Sequence, residues 1–151
     1  MLFFEIMEVD YMFIKENLNP KGWKCGDCVV RACAKATQKS WDDAYNDLYA
    51  IAFKKKRMLN DDCVYNKFLE DNGFEYCKQM KDAYGNKLRV MDLISHYNKI
   101  DLEHNTKTTL VIHTRKHLTC VVSGDIYDTW NTNYEVAGYY YVKSEENEGS
   151  Q

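Results

Sequence analysis

Residues 24–36 read KCGDCVVRACAKA. Within it Val29, Cys33 and Ala36 recur at spacings of four and three, an apolar stripe along one side of a helix running from Cys28 to about Gln38. Upstream, Asn17 to Gly26 contains the chain's only proline, Pro20, together with two glycines, and reads as a loop. Asp27 stands where an N-cap belongs. A C-x-x-C pair at the mouth of a helix can be a metal clip, a redox pair, or a nucleophile and its neighbour. Each choice implies a different fold.

Outward from this helix, the chain divides into two halves. Before it, Tyr11 to Lys15 reads as a strand. After it, Ser40 opens a second helix, with Asp43 three residues on as a weak capping box. Trp41, Ala44, Tyr45, Leu48 and Ala52 line one of its faces. Lys54-Lys55-Lys56-Arg57 follows as a solvated helix end whose cations suit the dipole. A third helix from about Asp61 to Glu70 stops at Asn72-Gly73. A fourth runs from about Arg89 to Lys99. The second half is β-rich. Thr108 to Thr114 and His117 to Val122 are strands, and Ser123-Gly124-Asp125 is a hairpin turn. Ile126 to Trp130 and Val136 to Val142 complete a meander. Residues 144–151 form a polar tail expected to be disordered. Helices first and antiparallel strands second imply an α+β fold, a single domain over residues 1–143.

The composition narrows the class. The chain has 151 residues, of which 45% are hydrophobic and 14% aromatic, with twelve tyrosines. A chain of that size and make-up buries a core without disulfides. The net charge of -3 argues against a nucleic-acid or anionic-membrane partner. The first residues lack a basic region and a cleavage site, so no signal peptide is expected. No run is long enough for a membrane span. The six cysteines are therefore expected to be reduced, in a cytoplasmic setting.

The redox reading of Cys25 and Cys28 needs a thioredoxin-like fold with a later proline beside the disulfide, and no proline follows Pro20. The zinc reading would join the pair to His113 and His117. The sequence between Cys28 and His113 is too long for a finger, and four residues along a strand span roughly 13 Å, too far for two imidazoles to share an ion. The nucleophile reading needs a thiol at a helix start, a distant histidine to take its proton, and a group to orient that histidine. Cys28, His117 and Asp128 supply these in order. With Ser123-Gly124 at the turn, His117 and Asp128 become diagonal neighbours on one face, roughly 7 Å apart in the backbone. With Gly124-Asp125 at the turn they separate. His96, His104 and His113 carry no assigned role. Cys33 and Cys120 face the core on periodicity.

The segment CGDCVV resembles the C-G-x-C segment around the nucleophile of papain-like cysteine peptidases, with Cys28 in the catalytic place. HLTCVVSG resembles the strand carrying that family's histidine, here His117. DTWNTNYEVAGYYYV resembles its N-S-W segment and the glycine-aromatic strand after it. Asp128 then stands where papain has asparagine and other branches have aspartate. The stretch also looks like small papain-fold proteins of bacteria and their phages, which would place this chain in a host cytoplasm. The resemblance covers residues 19–142, and the chain is short for the family. It implies a papain-like fold, a Cys28–His117–Asp128 triad, and hydrolysis of a peptide or isopeptide bond in a peptide or protein substrate, through a thioester and without a cofactor. Trp130 would shelter the His117–Asp128 hydrogen bond from water.

One position departs from the family. Its oxyanion-hole glutamine lies six residues before the nucleophile, and Gly22 occupies that place here. Asn19 is the nearest substitute, with the Cys28 backbone N–H as the other donor. Asp27 opposes thiolate formation at Cys28 unless water screens it. Two alternatives follow: a non-catalytic binding or host-interaction module on the same fold, or a transglutaminase-like acyltransferase with the same triad.

Overall fold

The computed structural model describes residues 11–148. The N-terminal segment, on which the expectation of no signal peptide rests, and the last three residues lie outside them. In chain order the elements are β1 (Phe13–Lys15), α1 (Cys28–Thr37), α2 (Trp41–Lys55), α3 (Asp62–Asp71), β2 (Glu75–Cys77), α4 (Val90–His104), β3 (Thr106–Thr114), β4 (His117–Val122), β5 (Asp125–Asp128) and β6 (Tyr140–Glu146). Among the described residues, four helices and one six-stranded mixed sheet make an α+β fold. No helix among the described residues is long and apolar enough to cross a membrane.

The sheet order is β1-β5-β4-β3-β6-β2, with β1 parallel to β5 and every other pair antiparallel. This is more mixed than a helical half packed on a β half. The first half lends the sheet both of its edges, and β2, which carries no sequence pattern of its own, pairs Glu75–Cys77 with Tyr140–Val142.

Alternation along the strands sorts two cores. Leu118 and Cys120 on β4, Val111 on β3 and Tyr141 on β6 pack with α1, α2 and α3. Val121, Leu110, Ile112, Ile126 and Tyr140 face the other way and pack with Val90, Leu93 and Ile94 of α4. A central strand buried on both faces reads as a continuous apolar run, as LTCVV does here. Each Val, Ile or Leu so buried contributes about 1.5–3 kcal/mol relative to exposure.

Local chemistry sets the ends. The Ser40 hydroxyl accepts the Asp43 N–H at 3.0 Å, capping α2. Ser123 and Gly124 both adopt positive φ, 50° and 85°, and Val122 pairs with Asp125. That two-residue turn, in the left-handed region at both positions, matches the twist of a hairpin. Residues 136–139 leave the expected last strand. Gly138 runs so close to β3 that a Cβ there would lie 2.9 Å from the His113 carbonyl oxygen, and Ala137 bonds to Leu88 instead. The strand begins at Tyr140 and continues to Glu146, where it pairs with Thr106. The disordered tail expected from residue 144 is thus corrected: Ser144, Glu145 and Glu146 are held by the β3 ladder.

Candidate active site

The site forms where the start of α1 meets the start of β4. The β4–β5 register, continued from Cys120 opposite Tyr127, puts Thr119 opposite Asp128 and His117 on its diagonal. His117 Nε2 lies 2.7 Å from Asp128 Oδ2, with both side chains almost fully buried. The turn is therefore Ser123-Gly124, the register that brings the pair together. Cys28 Sγ interacts with the imidazole and with the Leu118 backbone N–H. Because Nε2 is occupied by Asp128, the ring presents its other nitrogen, Nδ1, to the thiol. Trp130 stacks on the ring, with centroids 4.1 Å apart and planes inclined 35°, and its indole N–H donates to Glu135 at 3.0 Å.

Charge is matched around this core. Asp128 accepts four hydrogen bonds: from His117, from the Thr119 hydroxyl (2.7 Å), from the Thr129 backbone N–H (2.7 Å) and from Arg31 Nη1 (3.2 Å). Burial alone would raise its pKa, but these donors outweigh burial and hold it below the ordinary carboxylate value. Burial would also discharge His117, yet Asp128 and the Cys28 sulfur push its pKa up to about 9. For Cys28 burial favours the thiol, while the imidazole, the Leu118 N–H and Arg31 favour the thiolate. The net shift is downward. Cys25 moves in the opposite direction. Local desolvation and the Asp27 carboxylate push it up. The two thiols of the C-x-x-C segment are thus chemically distinct, and all six cysteines are free.

Arg31 is the residue that sequence reasoning missed. It lies one turn into α1 and spans two carboxylates, with Nε on Asp27 at 2.9 Å and Nη1 on Asp128 at 3.2 Å. The Asp27–Arg31 spacing of four was a legible helix pair. Its link to Asp128 joins residues far apart in the chain, and no local signal carries it.

Two expectations need correction. Asp27 makes no side-chain cap bond to α1. It is 6% exposed and accepts instead from Arg31, from Trp41 Nε1 at 3.0 Å and from Asn19 Nδ2 at 3.1 Å. Its charge is offset by a partly buried guanidinium. Asn19 does not present a free donor. Its amide nitrogen points to Asp27 and, at 3.8 Å, to Cys25 Sγ, while its Oδ1 accepts the Lys21 N–H. Asn19 therefore ties the 19–27 loop to the helix start. The first bond of α1 is Arg31 N–H to the Asp27 carbonyl. The N–H groups of Cys28, Val29 and Val30 consequently have no acceptor within the helix.

A cavity of about 690 Å³ adjoins the site. Trp23, Cys25, Asp27 and Arg31 line it on one side and Thr129 and Trp130 on the other. His113, the remaining partner in the zinc reading, lies opposite Leu118 on the β3–β4 hairpin, whereas His117 lies opposite Thr114. The two imidazoles thus project from opposite faces of the sheet. His113 stacks on Tyr139 at 4.5 Å. Among the described residues no group of three or more His, Cys, Asp or Glu side chains could hold a metal ion. No family model matches the chain, and neither a curated protein nor a solved structure is significantly similar to it.

Proposed function

We propose that this protein is a papain-like cysteine hydrolase that cleaves a peptide or isopeptide bond through a thioester on Cys28. The observation that carries the reading is the buried relay in which Asp128 holds His117 Nε2 at 2.7 Å while Cys28 Sγ engages the same ring. The Cys28 thiolate attacks the carbonyl carbon, and the oxyanion forms beside the unpaired N–H groups at the start of α1. His117 then gives its proton to the leaving amine, which departs and leaves the acyl group on sulfur. Water, deprotonated by His117, attacks the thioester and releases the acid and the thiol. Asp128 fixes the tautomer throughout, and Trp130 covers one face of the imidazole. An amine in place of water would give acyl transfer by the same steps.

A second reading has one observation in its favour. Gly22 has no side-chain donor and Asn19 is engaged with Asp27, so the site has no evident side-chain oxyanion donor. Losing one such donor costs about 3 kcal/mol of transition-state stabilisation. A binding module on the same fold would tolerate that loss.

The test is an intact-mass search for an acyl adduct on Cys28 after exposure to a peptide library. An adduct that is present in the wild type and absent from Cys28→Ala supports hydrolase or transferase chemistry. No adduct and no cleavage would favour the binding module. The pH profile has a defined sign. The thiolate–imidazolium pair exists above the lowered pKa of Cys28 and below the raised pKa of His117. kcat/KM is therefore expected to fall on the alkaline side near pH 9, where the imidazolium loses its proton. A rate still rising through pH 10 would mean that an ordinary thiol is being titrated.

A further inference from the structure

A second cavity, of about 460 Å³, opens on the other side of the relay. Gln79, Arg89, His113, Thr114, Arg115 and Glu135 line it. It is tied to the proposed site twice. Thr114 is the register partner of His117 across the β3–β4 hairpin. Glu135 holds the indole N–H of Trp130, which stacks on His117. Trp130 itself lines the larger cavity, so the relay stands between the two.

This cavity holds unspent hydrogen-bonding capacity. The Thr114 hydroxyl is the one buried side-chain polar atom among the described residues that has no partner, and Thr114 is 2% exposed. Burying a hydroxyl unpaired costs about 1–3 kcal/mol. The site retains it where valine would fill the same space. Arg115, at the tip of the β3–β4 turn, makes no ion pair or hydrogen bond among the described residues. Arg89 spends one guanidinium nitrogen on the Tyr134 carbonyl and keeps the rest of its fork. The only carboxylate at the rim, Glu135, is already engaged by Trp130. Donors therefore outnumber acceptors, and an arginine fork suits a planar anion.

We propose that this cavity is a substrate subsite for a carboxylate, bound by Arg115 and Arg89 with the Thr114 hydroxyl as a further donor. The proposal rests on the Cys28 hydrolase reading and adds to it a substrate class: acyl donors or leaving groups that carry a negative charge close to the scissile bond. The carboxylate could be a free chain terminus or an acidic side chain, which share the same chemistry.

Three electrophilic probes separate these cases without requiring turnover. They are iodoacetyl-Gly-Ala with a free carboxylate, its C-terminal amide, and iodoacetyl-Gly-Glu amide. Labelling of Cys28 is followed by peptide mapping, with iodoacetamide as the reference. The free acid or the glutamyl probe is expected to label Cys28 about tenfold faster than the neutral amide, and whichever one does so identifies the source. Arg115→Gln is expected to bring that ratio close to one, and Arg115→Lys to restore part of it. Thr114→Val is expected to lower the ratio while raising Tm, because an unpaired buried hydroxyl is removed. Equal labelling by all three probes, with Cys28 still faster than the other thiols, would overturn the subsite and leave the hydrolase reading standing. If Cys28 labels no faster than Cys25 with any probe, both fall.

Discussion

Brief treatment with iodoacetamide at pH 6 is expected to label Cys28 at least tenfold faster than Cys25 or Cys77. An unperturbed thiol titrates near 8.5, so well under 1% is thiolate at that pH. Each unit by which the pKa falls raises the thiolate fraction about tenfold. The intrinsic nucleophilicity falls too, but by less. At Cys28 burial opposes ionisation, and the His117 ring, the Leu118 N–H and Arg31 overcome it. Desolvation and Asp27 push Cys25 up, and burial pushes Cys77 up. His117→Ala removes the first and strongest of the thiolate's partners. It is expected to slow Cys28 labelling tenfold or more while leaving Cys25 unaffected. Peptide mapping of the two proteins reads both sites in one experiment. Equal labelling of Cys25 and Cys28 that is insensitive to His117 would mean that no ion pair exists, and the segment at residues 25–28 would be only the start of a helix.

The second large effect is expected at Asp128. If Asp128 only oriented His117, Asp128→Ala would spare the fold, and Asp128→Asn would keep part of the function because papain itself uses an amide. Asp128 does more than this. It is 3% exposed and is the shared acceptor for an imidazole, a hydroxyl, a backbone N–H and a guanidinium. Removing one partner of a buried ion pair costs about 3–5 kcal/mol, because the other charge is left unpaired. Asp128→Ala is therefore expected to lower Tm clearly as well as to slow Cys28 labelling. Asparagine fares little better. All four neighbours are donors, so its amide N–H₂ must face either His117 and Thr119 or Arg31 and Thr129. Both Asp128→Ala and Asp128→Asn are expected to destabilise, with Arg31→Met partly relieving the loss in the Asp128→Ala background. Thermal unfolding of the three variants measures this. An Asp128→Asn protein as stable as the wild type would show that the site adapts by rotating the Thr119 hydroxyl toward Thr132, which lies 3.2 Å away.

Much of this arrangement is written in local sequence. The stripe Val29–Cys33–Ala36 and the loop before it place Cys28 at a helix start, and α1 begins there. Ser40 caps α2 as its position predicts. Ser123-Gly124-Asp125 marks the hairpin, although residue type left two registers open and the fold adopts the one with Ser123 and Gly124 at the turn. These features depend on interactions within a few residues, and residue type and spacing report them directly.

What escaped the sequence depends on contacts between segments far apart in the chain. β2 is three residues long, too short to show alternation, and exists because a neighbouring strand offers an edge. β1 falls within the strand read at Tyr11 to Lys15, but its parallel pairing with β5 has no local signal. Asp27 reads as a cap, but the tertiary fold brings Arg31, Trp41 and Asn19 to it, and a buried carboxylate takes whichever donors reach it. Asn19 is drawn into the same network and so loses the freedom an oxyanion donor would need. Arg31 shows its helical spacing to Asp27, but its bond to Asp128 forms only when α1 docks against β4, the neighbour of β5. Sequence alone placed Cys28 at a helix start and His117 at a strand start, but it ran the strand of Asp128 on to Trp130, whereas β5 ends at Asp128. Which charges are matched around the thiol, and hence which way each cysteine titrates, was decided by tertiary packing, because burial and long-range ion pairs are properties of the assembled fold.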